Sequence, residues 1–448
     1  MEDTIVAIST AQGIGAISII RVSGKDSINI VNRIIKNKNL NKVASHTINY
    51  NHIIENNNII DEVLISVMKS PKTFTTEDVI EINCHGGIAA TNKILELLLF
   101  NGCRLAEPGE FTKRAFLNGR IDLLEAESVM DIIHSKTENS LKLAINQLSG
   151  NTSNLIKKLR QNLIEILANI AVNIDYPEYE DIEEVTNNTL KEKIIKIKDE
   201  INHILKDSKN SKIIKEGIDV AIIGKPNVGK SSLLNRLLEE EKAIVTDIAG
   251  TTRDIVEGKI NVNGFLLNII DTAGIHDTND KIEKIGVDKS RNLIQKADLI
   301  LFLLDNSTTI NEEEKKLLNE IKNKKHITII NKIDLDSKLD IKEDNIIKIS
   351  TINNTGINQL KDRIINLFEL DKIEQQDMTY LTNARSIALL KQVYEKIKEI
   401  EESINKNVPI SIIELDLRSA WEILGQIIGE HYQDELIDQL FTQFCLGK

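Results

Sequence analysis

Apolar residues recur along this chain with two different periods, and the places where the period changes mark its parts. Up to about residue 118, short β-branched runs alternate with helix-spaced segments. Thr4–Ile8, Ala16–Val22, Ala44–Tyr50, Glu62–Met68 and Asp78–Cys84 are predicted strands, and Asp26–Lys36 and Ile88–Asn101 predicted helices. Turns fall at Gly13-Ile14-Gly15 and Gly86-Gly87. From Ile121 onward the apolar positions take helical spacing, through Leu141–Leu148 and Leu155–Val172, with little glycine or proline to interrupt them. Asp175-Tyr176-Pro177-Glu178 breaks that pattern and opens an acidic loop, and Lys206–Lys212 reads as a polar linker. Strand-like runs return between about 213 and 370, and helical spacing resumes after Asp371 in Ile387–Ile400 and Ile410–Ile428. The expected organisation is a multidomain α/β chain. An N-terminal α+β domain covers 1–118 and a helical domain begins at 119–212. A separate α/β domain at 213–370 is inserted into it, and 371–448 supplies the second helical half.

Inside the inserted segment, Gly224-Lys225-Pro226-Asn227-Val228-Gly229-Lys230-Ser231 fits the phosphate-binding loop pattern without a mismatch. It follows the apolar run Val220–Ile223 and precedes the helix-like Ser232–Leu238, which is the strand–loop–helix setting the pattern requires. Backbone N–H groups at a helix N-terminus can surround phosphates. Lys230 would reach the outer phosphates and the Ser231 hydroxyl would ligate Mg²⁺. Further on, Phe265–Ile270 reads as a strand ending in Asp271-Thr272-Ala273-Gly274, where a carboxylate can hold Mg²⁺ through water and a glycine can approach the terminal phosphate. His326–Ile330 leads into Asn331-Lys332-Ile333-Asp334, whose Asp334 can accept two hydrogen bonds from a guanine edge that adenine lacks. Ile346–Ile349 ends at Ser350-Thr351, where base-contacting loops end. Four motifs in this order, each after a predicted strand, make the segment a Ras-like domain for GTP. Ile275 stands where a water-orienting glutamine is familiar, so the attacking water needs another positioner. Asp277, Asp280 and Glu283 lie just downstream, as candidates or as a solvated acidic loop.

Composition narrows the setting. The 448 residues suffice for two to four domains. A net charge of −12 argues against broad electrostatic coating of nucleic acid, while leaving room for a local basic patch. Cys84, Cys103 and Cys445 are odd in number and far apart, which gives no disulfide framework and no zinc spacing. With no basic leader at Met1-Glu2-Asp3 and no apolar run near ~18 residues, a cytoplasmic protein is expected, with no membrane partner.

Several stretches outside the GTP motifs are specific in combination. They are Ile19-Ile20-Arg21-Val22-Ser23-Gly24, Phe74–Glu81 with His85-Gly86-Gly87, Glu107–Asn118, Thr246–Asp254, and the ending Phe444-Cys445-Leu446-Gly447-Lys448. On these residues the chain resembles the tRNA modification GTPase MnmE (TrmE) family over essentially its whole length. It departs from the family at Ala11-Gln12 and at Gly429–Gln433.

The resemblance implies a homodimer working with a MnmG (GidA)-type flavoprotein, which alone carries FAD. Together they install an aminomethyl or carboxymethylaminomethyl group at C5 of the wobble uridine in tRNA. It implies a 5-formyl- or methylene-tetrahydrofolate on the N-terminal domain, contacted by Arg21, Glu81, Arg120 and Lys448. GTP contacts would fall on Asn227, Val228, Gly229, Lys230, Ser231 and Ser232, and on Thr246, Asp247, Ile248, Ala249, Gly250, Thr251 and Thr252. They continue at Asp271 to Gly274, Asn331, Lys332, Asp334 and Ser350. Mg²⁺ would take Ser231 and Thr252. K⁺, binding where two GTP domains meet, would take Asn227, Thr246, Ile248 and Thr251. Glu283 would orient the water and Lys230 act beside it, while Cys445 could serve as a nucleophile toward uridine C6 or help the folate site. The alternative is a ribosome-assembly GTPase of the Era or Der type. Its RNA-binding module would need a Gly-x-x-Gly loop, which the helical C-terminal segment lacks.

Overall fold

The computed structural model describes residues 3–11, 13–36, 39–175, 187–240, 258–270, 293–341, 345–370, 379–430, 434–442, 444–445 and 447. Two compact units divide the chain. Met1–Ile133, Gln147–Ile201 and Ala388–Lys448 build the first; His134–Asn146 and Asn202–Ile387 build the second. The GTP motifs all fall in the second unit, whose sequence interrupts the first.

The first unit opens with strands β1 (Ile5–Ile8), β2 (Ile17–Ser23), β3 (Thr47–Glu55), β4 (Asn58–Met68), β5 (Val79–His85) and β6 (Arg104–Leu105). They form one sheet in the order β3-β4-β5-β2-β1-β6, antiparallel except for the β1–β6 edge. Side chains of a strand alternate between faces, so one face collects Ile20, Val22, Ile80, Ile82 and Cys84. These pack on Ile94, Leu97 and Leu98 of the helix Ile88–Phe100. The other face receives Arg21 and Glu81, which lie directly opposite each other in register. The expected helix Asp26–Lys36 is shorter, Ser27–Asn32, and the strand expected at Ala44–Tyr50 lies later, at Thr47–Glu55.

Around that sheet sits an ionic network with a buried centre. Arg114, 1% exposed, donates to Asp3, Glu77 and Glu110 at 2.8–3.0 Å, and Arg104 reaches Glu110 and Asp3. Burial opposes ionisation of Glu110. Hydrogen bonds from Arg104, the Glu107 N–H and Arg114 outweigh it and hold the carboxyl below its ordinary 4.5. The same unit contains two long, packed helices. Ile156, Leu159, Leu163, Ile166 and Ile170 make a stripe at three- and four-residue spacing on Asn151–Asp175. That helix packs beside Ile410–Ile428, whose Leu417, Ala420, Leu424 and Ile427 form the matching stripe.

The second unit is a six-stranded sheet: β7 (Ile218–Ile223), β8 (Gly258–Val262), β9 (Phe265–Ile270), β10 (Leu299–Asp305), β11 (His326–Asn331) and β12 (Ile346–Lys348). Its order is β12-β11-β10-β7-β9-β8, parallel apart from the β8–β9 hairpin. From β7 the chain passes to β9 on one side and then to β10 on the other. The order therefore reverses between β7 and β10, and a crevice outside their carboxyl ends is where such sheets bind ligands. Strand β10 is buried along its whole length, as a central parallel strand must be.

The segment Lys206–Lys212 is not a linker; it is part of one helix, Asn187–Glu216. Its inward positions are serines. Ser208 and Ser211 are 2% and 1% exposed, and their hydroxyls donate to the Ile204 carbonyl and to the Ser208 and Leu381 carbonyls. Small, internally bonded side chains let a polar-looking stretch pack against apolar neighbours. Strand β8 has no counterpart in the sequence reading. The acidic loop expected after Asp175 lies outside the described residues.

Removing Arg114 leaves Glu77 without its cation and Glu110 with Arg104 alone. Arg114→Met is expected to destabilise the first unit by about 3–5 kcal/mol in urea denaturation; a loss under about 1 kcal/mol would refute a central role for the network. Because the folded pKa of Glu110 is depressed, its contribution is fully present above 4.5 and declines as pH falls below that value. Arg104 and the Glu107 N–H remain in the Met variant, which loses only the smaller share due to Arg114, so its loss of stability under acid should be slightly shallower than that of the wild type.

Candidate functional site

The phosphate loop leaves β7 at Gly224 and enters the helix Lys230–Glu240. Three features of its backbone explain its residues. Gly224 lies where a Cβ would come within 2.5 Å of the Leu303 carbonyl on β10. Asn227 holds φ +65, a left-handed conformation that asparagine tolerates better than most residues. Gly229 has φ +101, and a Cβ there would meet the Asn331 side-chain nitrogen at 2.2 Å. The loop is thus drawn against the neighbouring strand at one end and against Asn331, at the end of β11, at the other.

Lys230 curls back over this loop and donates to the Gly224 and Lys225 carbonyls, both at 2.8 Å. Burial lowers its pKa from the ordinary 10.5. Val228 is buried, Asn227 and Ser232 are exposed, and Gly229 and Ser231 are half-buried. An exposed crest beside a half-buried cation, with glycines that admit no side chain, fits an anionic oxygen-rich ligand such as a polyphosphate.

Asn331 at the end of β11 is fully buried. Its side-chain NH₂ donates to the Val228 carbonyl at 2.9 Å, and its side-chain oxygen accepts from the Thr351 N–H at 3.3 Å. Lys332 holds φ +62, and its ammonium lies 2.6 Å from Asp305. Burial opposes ionisation of Asp305, yet hydrogen bonds from Lys332 and Ser307 keep its pKa below the usual aspartate value. Asp334 is exposed and accepts from the hydroxyl of the buried Ser350. Arg236 donates to the Thr351 carbonyl, tying the helix after the phosphate loop to the same turn. The structure therefore gathers Val228, Gly229, Asn331, Lys332, Asp334 and Ser350 around the carboxyl ends of β7 and β11. Thr246 to Thr252, Asp271 to Gly274, Ile275, Asp277, Asp280 and Glu283 lie outside the described residues, as does Lys448.

In the first unit, Arg21 and Glu81 are joined by Nε and Nη2 at 2.9 Å to one carboxylate oxygen. Nη1 of Arg21 donates to the Gly447 carbonyl at 3.2 Å, and the Ser9 hydroxyl donates to the same carbonyl at 3.1 Å. The Arg21 guanidinium lies 6.0 Å from the centre of the Phe74 ring, and that of Arg120 lies 4.8 Å from it. Arg120 also donates to the Phe74 carbonyl at 2.9 Å. The chain's end is packed in place by Phe441 and Phe444, with ring centres 4.8 Å apart, and by the Gly109 N–H on the Cys445 carbonyl. Cys445 itself is exposed. Glu81 and Gly447 thus meet at Arg21, which shares the Phe74 ring with Arg120. Sequence reasoning passed over Phe74 as a site residue, although it sits in the Phe-Thr-Thr-Glu-Asp stretch already singled out. No helix among the described residues is long and apolar enough to cross a membrane.

A phosphate loop at a sheet switch point, clasped by a buried asparagine from the base side, defines a phosphate-loop nucleotide-binding protein of GTPase type. A family profile described as the MnmE helical domain matches residues 123–445, and one described as the GTP-binding protein TrmE N-terminus matches residues 4–120. A tRNA modification GTPase MnmE from Ligilactobacillus salivarius is 53% identical over 455 residues, covering 100% of this chain and 98% of that one. Its namesakes from Bacillus anthracis and Streptococcus thermophilus are 52% and 51% identical over 100% of this chain and 99% and 98% of theirs. A solved Era chain from Aquifex aeolicus bound to GDP·AlF4⁻ covers 40% of this chain and 66% of that one at 26% identity. Its TM-score of 0.25 is too slight a likeness to argue from. This chain belongs to the tRNA modification GTPase MnmE family.

The packing at Gly229 makes a direct test. Gly229→Ala places a methyl group into Asn331 and forces a left-handed backbone on alanine, at a cost of about 1–3 kcal/mol. The variant should lose nucleotide affinity and melt earlier in thermal denaturation; wild-type affinity and melting would show that the two loops do not touch as described.

Proposed function

We propose that this protein is the GTP-hydrolysing, folate-binding subunit of a complex that adds an aminomethyl-type group at C5 of wobble uridine in tRNA. The complex contains a homodimer of this chain and a MnmG-type flavoprotein that carries the FAD. The observation that carries the reading is the meeting of Glu81 and Gly447 at Arg21, beside a Phe74 ring that Arg120 also faces. A carboxylate can accept hydrogen bonds from an amino-pyrimidine ring, an aromatic ring can stack on a pterin, and cations suit a glutamate tail. Lys448, next to Gly447 in the sequence, would be the fourth folate contact. A bound tetrahydrofolate would supply the one-carbon unit. In the domain scheme, 1–118 carries this site, 119–212 and 371–448 form the helical domain, and 213–370 the GTPase.

At the GTP site, Lys230 would neutralise the outer phosphates and Asp334 would read guanine. Ser231 and Thr252 would hold Mg²⁺. Asn227, Thr246, Ile248 and Thr251 would hold K⁺, and Glu283 would orient the water that Ile275 cannot. The exposed position of Asn227 at the crest of the loop leaves its side chain accessible for that role. The protein would act in the cytoplasm, on tRNA.

Purified protein should bind 5-formyltetrahydrofolate in calorimetry, and Glu81→Gln should weaken binding roughly tenfold or more by removing a charge-assisted hydrogen bond. No binding by the wild type would sink the folate site. Transfer RNA from cells lacking this protein should lose its C5-modified wobble uridines; an unchanged nucleoside profile would overturn the function as a whole. Asp334→Asn should move base preference toward xanthine nucleotide, and retained preference for GTP would remove the base-reading role.

A further inference from the structure

We propose that the segment from Asp305 to Glu314 is an ionic strap that positions both nucleotide-contacting loops of the GTP site. Glu314 holds the phosphate loop through Lys225, and Asp305 holds the base loop through Lys332. The inference rests on the GTP reading of that site and adds to it two carboxylates that belong to no nucleotide motif.

Glu314 is the third residue of the helix Glu312–Ile321 and closes a capping box with Asn311. Its carboxylate accepts from the Asn311 N–H at 2.9 Å and lies 2.8 Å from the Lys225 ammonium. Its side chain is 4% exposed, whereas that of Lys225 is 33% exposed. Helix capping alone accounts for the bond to Asn311; it does not account for a lysine reaching in from the phosphate loop. Lys225 is doubly held there. Its carbonyl accepts from Lys230, and its side chain is drawn to the Glu314 carboxylate.

The other end of the strap repeats the device. Asp305 closes β10 with its side chain 11% exposed, and it takes the Lys332 ammonium at 2.6 Å. Lys332 has a left-handed backbone, which a lysine adopts only against a steric cost. The ion pair helps to hold it in that conformation. Between the two carboxylates the strap is laced to the base loop by backbone bonds. The Asn306 N–H donates to the Asn331 carbonyl at 2.9 Å, and the Lys338 N–H donates to the Asn306 carbonyl at 2.8 Å. The Asn306 side chain donates to the Leu335 carbonyl at 3.0 Å. An incidental surface pair is solvated at both ends, and deleting it moves nothing. Here each carboxylate is sheltered and each lysine belongs to a loop that touches the nucleotide.

Two double-mutant cycles test the strap: Lys225→Met, Glu314→Gln and the pair, and Lys332→Met, Asp305→Asn and the pair. Each is read by fluorescent guanine-nucleotide binding, by KM and kcat for GTP, and by thermal melting. Glutamine at 314 keeps an acceptor for the Asn311 N–H, so the helix cap survives. Glu314→Gln and Asp305→Asn should each weaken nucleotide binding on the order of fivefold, through KM with kcat changed less than about twofold. Each double variant should be no weaker than its lysine variant alone, because the carboxylate acts only through that lysine. Additive losses, or single carboxylate variants that bind like the wild type, overturn the strap. Wild-type protein that bound no guanine nucleotide would overturn the GTP reading beneath it, a result distinguishable from either.

Discussion

One buried amide holds the nucleotide site of this protein in register. The Asn331 side chain donates to the Val228 carbonyl in the phosphate loop and accepts from the Thr351 N–H in the base-side turn. Its own carbonyl accepts from Asn306. Three loops that leave three different strands therefore share one residue that water does not reach. A buried amide with both ends satisfied is rigid, whereas one with an orphaned end costs free energy. The requirement for Gly229 follows, since any Cβ at that position would occupy the space of the amide. So does the placement at the end of β11, where a parallel strand between β10 and β12 delivers its last residue to the carboxyl edge.

The first unit uses charge for the same purpose. Arg114 is too deeply buried to be a surface cation, and three carboxylates converge on it from the chain start, from the loop before β5 and from its own helix. Glu77 belongs to the loop that carries Phe74, and Asn118 fixes that loop again by donating to the Thr75 carbonyl at 2.7 Å. The ring that faces Arg21 and Arg120 is therefore held by groups lying behind it. The chain's end is fixed by Gly447, where a Cβ would come within 2.5 Å of the Ile8 carbonyl. A site assembled from a sheet face, a loop and a terminus needs such backing, because each contributor alone would be mobile.

What was legible in the amino-acid pattern was whatever repeats with a period. Phe265–Ile270 and Ile410–Ile428 have the bounds that their apolar residues predicted, and the phosphate loop stands between its strand and helix. Lys206–Lys212 reads as a linker because its inward positions are serines, whose hydroxyls are satisfied by carbonyls one turn back in the helix and, for Ser211, by the distant Leu381 carbonyl. The strand Gly258–Val262 was missed because it is short and pairs only at the sheet edge. Asp305, Glu314 and Arg114 carry no motif, and their partners are far along the chain or on another element. Of these, Asn311-x-x-Glu314 alone left a local trace, the spacing of a capping box. That trace announces a helix start and says nothing of Lys225.

The state of Lys230 connects this architecture to ligand binding. Its ammonium is bonded to two carbonyls, which orient it without neutralising it, and burial depresses its pKa. A lysine whose folded pKa lies below its unfolded value weighs against folding at every pH where it is charged, neutral pH included. An anion placed against the loop supplies the missing countercharge and removes that penalty. The free loop therefore carries a partly desolvated charge, which a phosphate group placed against it would offset. Asn331 and the clasped loops make this possible, since a loop free to open would let water solvate the ammonium instead.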